Sequence, residues 1–232
     1  MLGEKCGAKF ADEVIVLSEG VHQYFLDTYG RETHFIPNGV NKPNIREAKI
    51  IKDKFGLEKD DYILYLGRLV PEKGIKYLIK AFKNVKTDKK LVIAGGSSDT
   101  DVFAQELKEL AKDDPRIIFT GFVQGKILEE LYSNAYVYTL PSDLEGMPLS
   151  LLEAMSFGNC CLVSNIEECA SVVEDKAITF KKSDVSDLQD KLQKACDDKE
   201  LVQKYKDEAA DFIFKKYNWD NVVEETLKLF KE

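Results

Sequence analysis

From Tyr62 onward the chain alternates short apolar runs with segments patterned as helices, and this rhythm constrains the fold more than any other feature. Residues 62–66, 91–94, 117–119, 135–140, 161–164 and 177–180 read as strands. Helical periodicity over 74–84, 102–112, 126–134 and 148–157 separates the first five. Short apolar strands joined by helices of roughly 10–15 residues imply a parallel sheet covered by helices on both faces, an α/β fold. Ahead of this series, 14–17 and 33–36 read as strands flanking a helix over 19–29. A polar connector at 41–44 leads to a short amphipathic helix toward Phe55, closed by Gly56. The tail from Val185 is helical, with Tyr217 and Trp219 as its anchoring residues.

Composition narrows the function classes. The 232 residues include 44% hydrophobic side chains, enough for a large core, and a net charge of −8. That balance argues against a nucleic-acid or membrane-surface binder. No apolar run approaches the roughly 18 residues of a membrane span, and the first residues carry no secretory pattern. The cysteines, Cys6, Cys160, Cys161, Cys169 and Cys196, are odd in number and lack Cys-x-x-Cys spacing. Reduced core thiols and a cytoplasmic location are the expectation. With only His22 and His34 present, the sequence offers little basis for a histidine metal site or a Ser/His/Asp triad.

Ligands of parallel α/β sheets bind beyond the carboxyl ends of the strands, so the loops there are the ones to read. Gly67-Arg68 follows the first strand of the regular series and reaches Pro71-Glu72-Lys73-Gly74. Arg68 and Lys73 facing one point could hold a diphosphate, the arginine as a fork and the lysine as a point charge. Taken alone, the pair fits equally well a surface lysine and an arginine tied to a neighbouring carboxylate. Gly95-Gly96-Ser97-Ser98 suits a phosphate- or polyol-contacting loop, or an ordinary turn before a helix. Asp99-Thr-Asp101 matches a metal-binding Asp-x-Asp but precedes a helix, where capping is the better reading.

The fullest signal is Glu145-Gly-Met-Pro-Leu-Ser-Leu-Leu-Glu153. Pro148 suits the first helical position, and Leu149, Leu152 and Met155 form an apolar stripe. Glu145 would sit in the loop before the helix and Glu153 inside it. Free N–H groups of the helix start would lie between them, suited to an anion. Glu153 interrupts an apolar segment, so a ligand or a paired donor is expected beside it.

These motifs, in this order, resemble the C-terminal half of a retaining glycosyltransferase of the GT-B fold, in the large fourth family, also called glycosyl transferases group 1. The resemblance rests on Tyr65-Leu-Gly-Arg68 with Lys73-Gly74, Ile93-Ala-Gly-Gly96, Phe119-Thr-Gly-Phe-Val123 and the run from Pro141 to Met155. It implies a Rossmann-like nucleotide-sugar-binding domain over 41–215 and a C-terminal crossover helix over 216–232. Residues 1–40 would be a remnant of the family's N-terminal acceptor domain, ending in the hinge Ile36-Pro-Asn-Gly-Val40.

By the same resemblance Arg68 and Lys73 would bind the donor diphosphate and stabilise the departing nucleotide. Glu145 would face the donor sugar, and Glu153 would accept from the ribose hydroxyls. Gly67, Gly96 and the backbone of Gly146, Met147, Pro148 and Leu149 would meet the donor. Val123 would contact the base through its main chain. No metal and no cofactor are implied, since cations neutralise the leaving diphosphate.

Two departures stand out. Many members carry Phe-Gly where this chain has Met147-Pro148, which removes one N–H from the anion site. Most of the N-terminal domain, which in the family holds the acceptor pocket, is expected to be missing. The chain is therefore expected to bind a nucleotide-diphosphate sugar for retaining hexosyl transfer to a hydroxyl acceptor, sugar or lipid-linked, yet to be weak or inactive alone. Peripheral membrane association is expected only of the full-length enzyme. The alternatives are a non-catalytic nucleotide-sugar-binding subunit of a split enzyme and, less compatible with the Glu145 loop, a nucleotide-sugar epimerase.

Overall fold

A computed structural model describes residues 2–97 and 101–230. The chain opens with α1 (Leu2–Phe10), β1 (Ile15–Val16), α2 (Glu19–Tyr29) and β2 (His34–Phe35). Ser18 caps α2 by accepting from the Val21 N–H, and Gly30 ends it at φ 61°, donating to Leu26 O. β1 and β2 pair in parallel, Ile15 opposite His34, as a separate two-stranded sheet. Both strands are shorter than the apolar runs suggest, and α1 is additional to the sequence reading.

After α3 (Ile50–Phe55), closed by Gly56 as expected, the regular series begins. It runs β3 (Tyr62–Leu66), a 3-10 turn (Pro71–Lys73), α4 (Ile75–Phe82), β4 (Lys90–Ala94), α5 (Val102–Ala111), β5 (Ile117–Gly121) and α6 (Lys126–Asn134). It continues through β6 (Val137–Leu140), α7 (Leu149–Ser156), β7 (Cys160–Ser164), α8 (Glu167–Val173) and β8 (Ile178–Phe180). Helices α9 (Val185–Asp197), α10 (Lys199–Lys216) and α11 (Trp219–Lys228) complete the chain. Short α8 and the 3-10 turn are absent from the sequence reading.

The six strands β3–β8 form one parallel sheet in the order β5-β4-β3-β6-β7-β8. Counted within the sheet this is 3-2-1-4-5-6, the Rossmann order, and its direction reverses between β3 and β6. Ile63, Leu64, Val92, Ile93, Val137, Tyr138, Cys161 and Leu162 are all fully buried. Burial on both faces explains why these segments are continuously apolar. α4 covers the sheet with Ile75, Leu78, Ile79 and Phe82, spaced for one helical face. Each such side chain contributes about 1.5–3 kcal/mol by leaving water. The cysteines are free thiols, and burial pushes Cys160 up to about 12.

Candidate functional site

The loops beyond β3, β4 and β5 are stitched together through their backbones. Gly67 N–H donates to Ala94 O at 3.0 Å, Leu69 N–H to Gly96 O at 3.0 Å, and Gly95 N–H to Gly121 O at 2.9 Å. Gly95 has φ 153°, and a Cβ there would fall 1.8 Å from Gly67 O. Only glycine fits such a backbone contact. This accounts for the glycine at 95, which lies against Gly67, and the three hydrogen bonds hold the β3, β4 and β5 loops side by side. Val123 is buried in the loop that leads from β5 to α6.

Strand order brings the β3 and β6 loops together at the reversal point. Gly74, at φ 66°, lies so close to Pro141 that a Cβ would approach its carbonyl oxygen to 1.9 Å. Asp143 N–H donates to Glu72 O at 2.8 Å. Lys73 Nζ then meets both carboxylate oxygens of Glu145, each at 2.7 Å. The Ser142 hydroxyl donates to Glu145 Oε1 at 2.6 Å. The two side chains are only 15% and 5% exposed, so the pair is fixed and largely dry. Lys73 is thus not a free surface lysine. Arg68, five residues earlier, is exposed and forms no ion pair with the described residues. The two cations expected to act alike are therefore unequal: one is bound to a carboxylate and one is open.

Helix α7 begins at Leu149, and Pro148 precedes it with φ −79° and ψ 75°. The expected proline at the first helical position is one residue early, because this ψ is not helical. Leu149 N–H turns back to Met147 O, while Leu151 and Leu152 donate to Pro148 O. Among the described residues the N–H groups of Gly146, Met147 and Ser150 have no acceptor. Gly146, Met147 and Pro148 line a recess of about 160 Å³ closed on its other side by Leu17, Phe35 and Tyr217.

Glu153 lies elsewhere. With Leu149 it lines a cleft of about 450 Å³ whose other walls come from Asn38–Asn44, Leu128, Phe157 and Trp219. Arg68, Lys73 and Glu145 are not among its lining residues. The two glutamates flanking the helix start thus face different surroundings. Tyr132 donates to Glu153 Oε2 at 3.1 Å, the paired donor expected of it. Packing raises the Glu153 pKa, and the Tyr132 hydrogen bond works against that rise. The residue nonetheless has an open side on the cleft.

Of the Asp-x-Asp pair, Asp99 lies outside the described residues. Asp101 stands at the N-terminal boundary of α5, but its carboxylate accepts from the Ser97 hydroxyl at 2.6 Å and caps no helix N–H. Among the described residues no cluster of three or more His, Cys, Asp or Glu is placed to hold a metal. Sequence reasoning missed Ser142, Leu128 and the cleft role of 38–44. Ser142 and residues 38–40 both sit inside motifs that were visible, but their neighbours depend on tertiary packing.

Residues 47–212 match the family profile described as Glycosyl transferases group 1. The chain belongs to that family. It is 30% identical over 233 residues to the uncharacterized glycosyltransferase MJ1607 of Methanocaldococcus jannaschii, covering 94% of this chain and 60% of the relative. It is 22% identical to the alpha-maltose-1-phosphate synthase of Mycolicibacterium smegmatis, covering 99% of this chain and 65% of that protein. Among solved structures, Anabaena HepE, determined with UDP and glucose, superposes with a TM-score of 0.89 at 17% identity, covering 99% of this chain and 66% of that one. Sucrose-phosphate synthase from Thermosynechococcus elongatus gives 0.83 at 23% identity, covering 99% and 60%. This group 1 glycosyl transferase therefore has the Rossmann-like sheet of GT-B enzymes and spans 60% of the length of MJ1607. No described helix is long and apolar enough to cross a membrane.

Proposed function

We propose that the chain binds a nucleoside diphosphate sugar at the reversal point of its sheet and serves as the donor half of a retaining hexosyltransferase. The observation that carries this reading is the Lys73–Glu145 pair joining the β3 and β6 loops, with the exposed Arg68 in the first loop and open N–H groups before α7 in the second. Arg68 and the N–H groups of Gly146 and Met147 would take the diphosphate oxygens. Lys73, oriented by Glu145, would add a fixed positive charge as the sugar–phosphate bond breaks. Glu145 would face the sugar, Glu153 would accept from the ribose hydroxyls, and the Val123 backbone would meet the base. The sugar's anomeric carbon would exchange its phosphate oxygen for an acceptor hydroxyl oxygen, and the acceptor proton would pass to the departing phosphate. This assignment needs neither a metal nor a cofactor.

Acceptor recognition is assigned to protein beyond this chain, because the relatives are substantially longer. The same comparison supports a second reading, a nucleotide-sugar-binding subunit without transfer activity of its own. Melting temperature against uridine, guanosine and adenosine diphosphates and their sugars tests the common part. A ligand that binds only the native state raises stability with its concentration. A dose-dependent rise with one base, weakened in Glu153→Ala, supports donor binding. Efficient transfer by the chain alone would overturn the assignment of the acceptor site elsewhere.

A further inference from the structure

Trp219 is the only tryptophan of the chain, and it is 41% exposed. Its position is fixed by the hinge rather than by the hydrophobic core. Val40 N–H donates to Tyr217 O at 2.8 Å, and Val40 forms a parallel bridge with Asn218. The Asn218 side chain caps α11 by accepting from the Asn221 N–H at 2.8 Å. Gly39 lies directly against the indole: a Cβ there would come within 2.7 Å of Trp219 Cδ2 and 2.9 Å of its Cα. Hinge backbone therefore covers part of the ring, while the residue also lines the 450 Å³ cleft that holds Glu153.

That cleft is lined by two carboxylates, Glu129 and Glu153, with apolar walls from Leu128, Leu149 and Phe157. Glu129 is already bonded to Arg46 and Asn44, whereas Glu153 is open. Its volume falls within the roughly 300–1,000 Å³ typical of small-molecule sites. A ligand suited to it carries hydroxyl groups for the open carboxylate and a flat ring for the aromatic wall. We infer that Trp219 contacts the nucleotide directly, stacking on the base of the nucleoside diphosphate whose ribose meets Glu153. This rests on the donor-binding reading and adds to it a residue outside the Rossmann-like sheet. The aromatic ring would be preorganised by Gly39, so stacking would cost little ordering.

The single indole makes the inference directly readable. Uridine, adenosine and guanosine diphosphates are titrated into the full chain while tryptophan emission and binding heat are recorded, with inorganic pyrophosphate as the control. The expected result is a saturable emission change with a nucleoside diphosphate and none with pyrophosphate. Trp219→Leu should weaken nucleoside diphosphate binding by about 5- to 150-fold, the range of a lost base–aromatic stack, and leave pyrophosphate binding unchanged. Trp219→Phe, which keeps a ring beside Gly39, should retain most of the affinity, and melting temperatures of both variants report whether the hinge contact survives. Binding heat with a silent indole, or an equal response to pyrophosphate, overturns the inference and leaves the donor-site reading intact. No binding heat with any nucleotide removes both.

Discussion

The two glutamates on either side of the α7 start occupy opposite environments. Glu145 is buried, paired through both oxygens to Lys73 and additionally bonded to Ser142. Glu153 holds a single side-chain hydrogen bond, from Tyr132, and opens into a cleft. The first is satisfied by the protein itself, and the second retains acceptor capacity toward solvent. Glu145 thus fits a group that positions its neighbour, whereas Glu153 fits one that receives a ligand. The same contrast separates the cations: Lys73 is held and Arg68 is free.

Removing the held partner should have the largest effect. Lys73→Ala leaves a buried carboxylate with only a hydroxyl donor, and breaking such a pair costs about 3–5 kcal/mol. Urea unfolding should show this loss, and a change below about 1 kcal/mol would mean that water already serves Glu145. Next comes the joint that brings the two loops together. Gly74→Ala forces a left-handed non-glycine residue, costing about 1–2 kcal/mol, and adds a backbone overlap with Pro141. Its midpoint should fall by more than the conformational penalty alone. An unaffected midpoint would show that the β3 and β6 loops are not tightly joined.

Glu153→Gln should change unliganded stability less than either of these, yet it should alter the pH dependence. The native state holds the Glu153 proton more tightly than the unfolded chain, because packing on one side of this otherwise exposed carboxyl raises its pKa. Ionisation therefore costs native stability, so the wild type loses stability relative to Glu153→Gln as pH rises just above the ordinary glutamate range. At lower pH, where both states are protonated by default, that difference flattens. Parallel stability curves for the two proteins at every pH would remove this account of Glu153.

Much of the fold was legible because doubly buried parallel strands are continuously apolar and the intervening helices carry a one-sided stripe. Val92–Ile93 and Leu162–Val163 announce themselves in this way. α8 did not, since Glu167–Val173 is too short for a periodic stripe. The motif residues were also visible, but their grouping was not. Lys73 and Glu145 are 72 positions apart, and their contact follows from β3 lying beside β6, which no local pattern encodes. Likewise, Trp219 read as an anchor, while its place on the Glu153 cleft depends on the bridge between Val40 and Asn218. Pro148 was misplaced by one residue because composition indicates a helix start but not the ψ angle at that position.

The central claim is that an open arginine beside a closed Lys73–Glu145 pair receives a diphosphate. Calorimetric titration of nucleoside diphosphates into the wild type and Arg68→Ala tests it most directly. Arg68 is exposed and unpaired among the described residues, so its removal should leave the melting temperature of the unliganded chain nearly unchanged, within about 0.5 kcal/mol of stability. Losing a charge-assisted hydrogen bond should weaken binding by about 1.5–3 kcal/mol, close to 10- to 150-fold. Equal nucleotide affinity in the two proteins would contradict the account, because the diphosphate would then lie away from the reversal point of the sheet.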